Sequence, residues 1–248
     1  PFDYDGETYD PLPIQRGQVV SAGTLDKATM KITVPMSSEI AELFRAYPPG
    51  QVVTLTIRCG HVNDPDAEFP VCWVGRVLSA ARATGTSGGD MRKVDLSCEP
   101  SSTSMRRSGL RRHFQLTCPH VLYGDKCQAN KAAATVTGTI SALTYNTLTL
   151  TAGWNGSFPV AKFVGGLVEW DGDVLRERRS ILSVAGNVLT LAGPTTGLAI
   201  SDTVDVVLGC NHQAGASGDC VVLHDNILNF GGFPYIPLQN PVHTNPFA

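Results

Sequence analysis

Apolar and polar residues alternate with a period of two along much of this chain, the pattern of strands buried on one face only. Residues 29–34 (TMKITV) alternate cleanly and stop at Pro35. A short helix is predicted over residues 39–47: Ser37 or Ser38 can cap it, and Ile40, Leu43 and Phe44 fall on one face. Pro48, Pro49 and Gly50 end it. Three further strands follow at 52–59, 69–81 and 91–98, with a Gly-rich hairpin tip at 84–90. Residues 1–28 read as an irregular arm and first strand, interrupted by Pro11, Pro13, Gly17 and Gly23.

The second half contains an internal repeat. Residues 140–150 (ISALTYNTLTL) line up with residues 181–191 (ILSVAGNVLTL). Ile140 matches Ile181, Asn146 matches Asn187, and Leu148 and Leu150 match Leu189 and Leu191. Each copy reads as strand, tight turn and strand, with Asn where a positive φ is easiest. Between them residues 163–176 predict a hairpin turning at Asp171, Gly172 and Asp173, and residues 203–208 predict the last strand. Two copies are too few for a solenoid, so one compact barrel is expected.

The expected fold is therefore all-β: two small barrel- or sandwich-like domains, with one short helix in the N-terminal half. The boundary is placed by composition. Residues 99–108 turn to Ser, Thr, Pro and Arg, dividing a β-rich domain at 1–105 from a barrel-like domain at 106–248. Arg106, Arg107, Arg111 and Arg112 make that junction basic, which suits an anion, nucleic-acid or subunit contact. The tail 234–248 is rich in proline and reads as an extended arm draped on a partner.

Composition changes this picture little. Apolar residues are 42%, charged residues 17% and the net charge is −3, so no global bias towards nucleic acid exists. The 25 Gly and 16 Pro suit many short strands joined by turns. No apolar run approaches a membrane span. The first ten residues lack the layout of a signal peptide, and the initial Pro implies removal of an initiator Met.

Cysteine carries more information. Seven is an odd number, and without a secretion signal a reducing compartment is expected, in which thiols stay free or bind metal. Cys59, Cys72 and Cys98 lie on predicted strands and read as buried core thiols. The remaining four sit in loops at the two ends of the predicted barrel. Cys118 and Cys127 enter it, and Cys210 and Cys220 leave it. If the barrel closes, its first and last strands are neighbours and the loops meet.

Four thiols in two loops admit two disulfides, a structural zinc ion or an iron–sulfur cluster. Reducing conditions argue against disulfides. The gaps within each pair exceed the two to four residues usual in a zinc knuckle. Open loops suit a cluster better, although the standard ferredoxin spacing is absent. Gly209, Gly215 and Gly218 could bring amides to sulfur, and Tyr123, Phe230, Phe233 and Tyr235 could exclude water. His120, His212 and His224 lie close enough in sequence to replace a thiolate.

No enzyme is expected. The sequence has no G-x-S-x-G elbow, H-E-x-x-H helix, P-loop or G-x-G-x-x-G. Cys118 and His120 could form a thiol–imidazole pair, but no third orienting group is evident.

Cys118 with Leu122-Tyr123-Gly124 and Cys127, Gly209-Cys210 with Cys220, and the closing Asn229-Phe230-Gly231-Gly232-Phe233-Pro234 together resemble a family of phage tail-hub proteins. The segment is similar to lambda-type minor tail protein L and to the hub of gene transfer agents. The resemblance implies a structural protein of the virion, at the tip of a long non-contractile tail and assembled in the host cytoplasm. It implies a homotrimeric ring between the distal tail protein ring and a larger receptor-engaging tip protein, around the channel through which DNA leaves. It also implies a [4Fe–4S] cluster on Cys118, Cys127, Cys210 and Cys220, with zinc as the alternative.

Overall fold

The structure, a computed structural model, describes residues 1–19, 29–45, 47–61, 65–66, 68–82, 92–106, 109, 113–172 and 175–237. It is mainly β, as the alternation predicts, and divides into two compact units, Pro1–Gly109 and Leu110–Ala248. The predicted hairpin tip at 84–90 lies outside the described residues, as do Arg107, Arg111, Arg112 and residues 238–248.

The first unit opens with a small hairpin, β1 (Phe2–Tyr4) and β2 (Glu7–Tyr9). Asp5 and Gly6 turn it with φ of 56° and 81°, values that short polar residues and glycine tolerate best. Then come β3 (Gln15–Arg16), β4 (Met30–Pro35), helix α1 (Glu39–Leu43), β5 (Thr54–Arg58), β6 (Val71–Arg82) and β7 (Lys93–Pro100). Ser38 caps α1 through its side chain, which accepts from the Ala41 amide. The helix ends four residues earlier than expected because its last predicted turn runs into Pro48 and Pro49.

These strands form one five-stranded antiparallel sheet in the order β3-β4-β7-β6-β5. Met30, Ile32 and Val34 alternate inward on β4 and meet Val94, Leu96 and Cys98 on β7. Cys98 is a buried free thiol, as expected. Cys59 and Cys72 are not core thiols: a disulfide joins them at the loop end of the β5–β6 hairpin, where Cys72 is exposed. The expectation that Cys59 and Cys72 are free core thiols is corrected by that bond.

The second unit is a closed barrel. Its strands are β8 (Thr135–Leu143), β9 (Thr147–Leu150), β10 (Leu167–Asp171), β11 (Arg176–Ala185), β12 (Val188–Leu191) and β13 (Thr203–Val207), in the cyclic order β10-β11-β12-β9-β8-β13. The sequence repeat is a structural one. The two copies are the hairpins β8–β9 and β11–β12, and they pair with each other through β9 and β12. A bulge falls between Ile140 and Ala142 in one and between Ile181 and Ser183 in the other, at matching positions. The tie is reciprocal as well. The Leu150 amide donates to Asn187 O, and the Leu191 amide donates to Asn146 O.

The matched leucines explain why the repeat closes. Leu148, Leu150, Leu189 and Leu191 are each almost fully buried and share the barrel core with Ile140, Ile181, Val168, Val204 and Phe163. Curling the sheet turns the apolar faces of these short strands into one shared core, and closure leaves no edge of the barrel unpaired. The last strand β13 then pairs with β8, the first.

A second helix was not foreseen. Helix α2 (Asp219–Val222) is one turn long and carries Cys220. It begins at Gly218, where a Cβ would come within 2.2 Å of the Gln213 carbonyl oxygen, so the residue must be glycine unless the loop shifts.

Candidate functional site: a four-thiol seam

Barrel closure brings the two cysteine loops together. Cys118, Cys127, Cys210 and Cys220 all line one small cavity, with His120, His212, His224 and Asn226 around it. The loops are stitched by a reciprocal pair of bonds: the Cys118 amide donates to His212 O at 2.8 Å, and His212 Nδ1 donates to Cys118 O at 3.0 Å. Glycines at 166 and 209 allow the closest approach. A Cβ on Gly209 would lie 2.1 Å from Val164 O, and one on Gly166 would lie 2.0 Å from Val207 O.

Each sulfur has a hydrogen-bond partner. The His212 amide donates to Cys210 Sγ at 3.3 Å and the Gly231 amide to Cys118 Sγ at 3.4 Å. Asn226 Nδ2 approaches Cys127 Sγ at 3.6 Å, and Cys220 Sγ donates to Asn226 O at 3.3 Å. These donors differ from the glycine amides expected from the sequence. Gly231 does contribute, since an imidazole ring occupies the space a side chain would need: its Cβ would sit 2.4 Å from His120 Nε2.

The histidines are clamps rather than substitutes for thiolate. His120 Nδ1 donates to Asn229 O at 3.0 Å, and His224 Nε2 donates to Gly209 O at 2.9 Å. With His212 they each tie one loop carbonyl, satisfying backbone groups that no strand reaches. Tyr123 adds a fourth tie through its hydroxyl, which donates to Leu208 O at 2.7 Å. Phe230 and Phe233 are half-buried, and Tyr235 is 96% exposed and excludes no water from the cysteines.

Burial keeps two of these thiols protonated. Burial pushes the Cys220 thiol up to about 11, helped by Cys210, Cys118 and Cys127 nearby. Burial raises Cys210 too, against the His212 amide that favours its thiolate. The Tyr123 hydroxyl is likewise raised by burial, then by Cys210 and Cys127. Cys210 and Cys220 are therefore neutral thiols near pH 7.

The iron–sulfur expectation is overturned here, and zinc with it. Among the described residues no group of three or more His, Cys, Asp or Glu side chains is arranged to hold a metal ion. The cavity between the thiols is about 10 Å³, at the lower limit for a single water and far too small for a four-iron cluster. The Cys59–Cys72 disulfide also removes the premise of a uniformly reduced chain on which metal binding was argued.

Two residues central to the seam were missed from sequence. Asn226 is buried, donates through Nδ2 to Cys127 O, and receives Asn229 Nδ2 at 2.7 Å. Asp219 is buried, pairs with Lys162 Nζ at 2.5 Å and accepts the Asn211 amide at 2.9 Å. Their one sequence signal was an Asp or Asn beside glycine or another Asx, where side chains commonly satisfy loop backbone. Strain collects here as well. Among the described residues, four of the six non-glycine positive-φ positions, Tyr123, Gln128, His212 and Asp225, lie in these loops.

Comparisons with known proteins place this geometry in context. A protein family described as "Phage conserved hypothetical protein BR0599" matches residues 161–240, from the middle of the barrel through Cys210, Cys220 and the Asn229–Pro234 run. No curated protein matches the sequence. Among solved structures, a chain from the virion of a native gene transfer agent particle superposes with a TM-score of 0.77. The match covers 99% of this chain and 83% of that one at 20% identity, so both units share its fold.

Proposed function

We propose that this chain is a structural, non-enzymatic component of a phage-like virion, the hub of a long non-contractile tail tip. In this reading copies form a ring, a homotrimer, between the distal tail protein ring and a larger receptor-engaging tip protein. The ring surrounds the channel through which DNA leaves. One observation carries the reading: nearly the whole chain, both units together, follows the fold of a protein from a gene transfer agent virion. The phage family match over residues 161–240 supports it independently of fold.

The four thiols fit such a role without chemistry. Cys118, Cys127, Cys210 and Cys220 hold the ends of the barrel's first and last connections in one packed seam, and the neutral state of Cys210 and Cys220 suits packing rather than nucleophilic attack. Electron microscopy of particles made without this chain tests the function. Tail tubes lacking a tip, with filled capsids, are the expected result. Intact tips, or a defect confined to the capsid, would overturn it.

A further inference from the structure

The two edges of the first unit's sheet, β3 and β5, face the same open groove of about 440 Å³. Among the described residues neither strand has a second strand partner on its outer side. The floor is apolar, from Ile32, Val34, Val77 and Leu96, and among the described residues no strand covers it as closure covers the barrel of the second unit. One wall is aromatic. Phe2 and Tyr4 of the N-terminal hairpin each meet Phe69 edge-on at 5.1 Å between ring centres, and Tyr9 extends the wall. Tyr4 Oη accepts the Phe69 amide at 3.3 Å, which leaves its hydrogen pointing elsewhere to donate.

A groove walled by aromatic rings, two of them tyrosines, is the kind of surface that proline-rich extended segments recognise. Prolines stack on the rings, and the tyrosines bond the carbonyls that such a helix leaves unpaired. The chain itself contains such a segment. Pro234, Pro237, Pro241 and Pro246 punctuate its last residues, and residues 226–248 hold no Asp, Glu, Lys or Arg. An uncharged segment brings no charge of its own to desolvate, and its carbonyls can accept from Arg16 and Arg58, which also line the groove. The eleven residues after Pro237, in polyproline spacing, reach about 34 Å.

We propose that the groove of the first unit receives residues 238–248 of a second copy. Groove and segment belong to different units, so the contact joins two unlike surfaces and propagates from copy to copy. That is the head-to-tail arrangement that closes rings. The proposal deepens the ring reading by naming one of the ring's contacts. Leu238, Val242 and Phe247 are the apolar residues other than proline and alanine that the segment would offer the groove.

Light scattering on three purified forms tests this: the intact chain, a chain truncated after Pro237, and a full-length groove variant. Ile14→Asp is the variant of choice, because Ile14 lines the groove yet is 55% exposed, so the fold tolerates it. Tyr9→Ala serves as a second. The intact chain is expected to assemble, and both altered forms are expected to stay monomeric. Mixing the truncated chain with Ile14→Asp restores one groove and one segment, giving a heterodimer. A fluorescent peptide of residues 238–248 should bind the truncated chain, and binding should weaken at least tenfold with Tyr9→Ala or with Phe247→Ala in the peptide.

Oligomers that survive truncation would overturn the contact while leaving a ring standing. An intact chain that is monomeric, or a peptide indifferent to the groove variants, would overturn it too.

Discussion

The two units solve the same problem differently, and the difference separates what each is suited to do. Both are small antiparallel sheets of short strands with one apolar face. The second curls until β13 meets β8, so its core is sealed and its leftover polar backbone is confined to the loops around the thiols. The first stays open, with two strand edges and an apolar groove between them. Closure gives the second unit a rigid seam. Openness leaves the first with an apolar groove, and a disulfide holds the loop end of its β5–β6 hairpin.

The most severe way to break this contrast is in the sealed core. Phe163 is fully buried and packs on Trp154 with ring centres 4.7 Å apart. Phe163→Ala should cost the second unit about 3–5 kcal/mol. Phe69 lies half-buried in the groove wall, so Phe69→Ala should cost the first unit less than half as much. Urea unfolding of the full chain, followed separately in the two units by amide exchange, reads both. Equal losses would mean the first unit is not open.

The disulfide comes next. Cys59→Ser should destabilise the first unit by about 2–4 kcal/mol, and the second by nothing measurable. Thermal melts with and without a thiol reductant should reproduce that asymmetry in the wild-type chain. A shift in the second unit would mean that its own cysteines are bonded.

Smaller again is the effect of crowding the seam. Gly209→Ala places a methyl against Val164 O and should cost about 1–3 kcal/mol in the second unit, with faster amide exchange at His212 and Gly231. Gly186→Ala, in the β11–β12 turn with a φ of 59°, meets no neighbour and should change the turn without loosening the seam.

The mildest test is alkaline pH. The folded Cys220 thiol titrates near 11 against an ordinary value of 9.0, so the folded state holds its proton longer than the unfolded state does. The second unit's stability should thus be constant below pH 9 and fall between 9 and 11. Cys220 alone sets a slope of at most about 1.4 kcal/mol per pH unit. Cys220→Ala should flatten the slope. A profile identical in both proteins would show that the thiol is not desolvated.

Much of this was legible in the alternation of residues. The strands of both units and the repeat could be read because alternation and matched leucine spacing mark the buried face of each strand. The meeting of the cysteine loops was also legible, since closure makes first and last strands neighbours. What lay between the sulfurs was not. Spacing alone cannot distinguish loops that leave room for a metal from loops drawn tight by His212, Asn226 and Gly231, because those ties depend on backbone carbonyls and amides that any residue supplies. Nor did the count of seven cysteines reveal that Cys59 and Cys72 face each other across a hairpin, a register effect fixed by a bulge next to Arg58.

The proposed role rests on where the chain sits in a particle, and a cryo-electron microscopy reconstruction of the tail tip reads that directly. The account predicts a ring of copies at the distal end of the tail, with the closed barrel and the open sheet both resolved and extended density filling the groove beside Tyr9. A particle whose tail tip lacks this chain, or which carries it in the capsid, would contradict it.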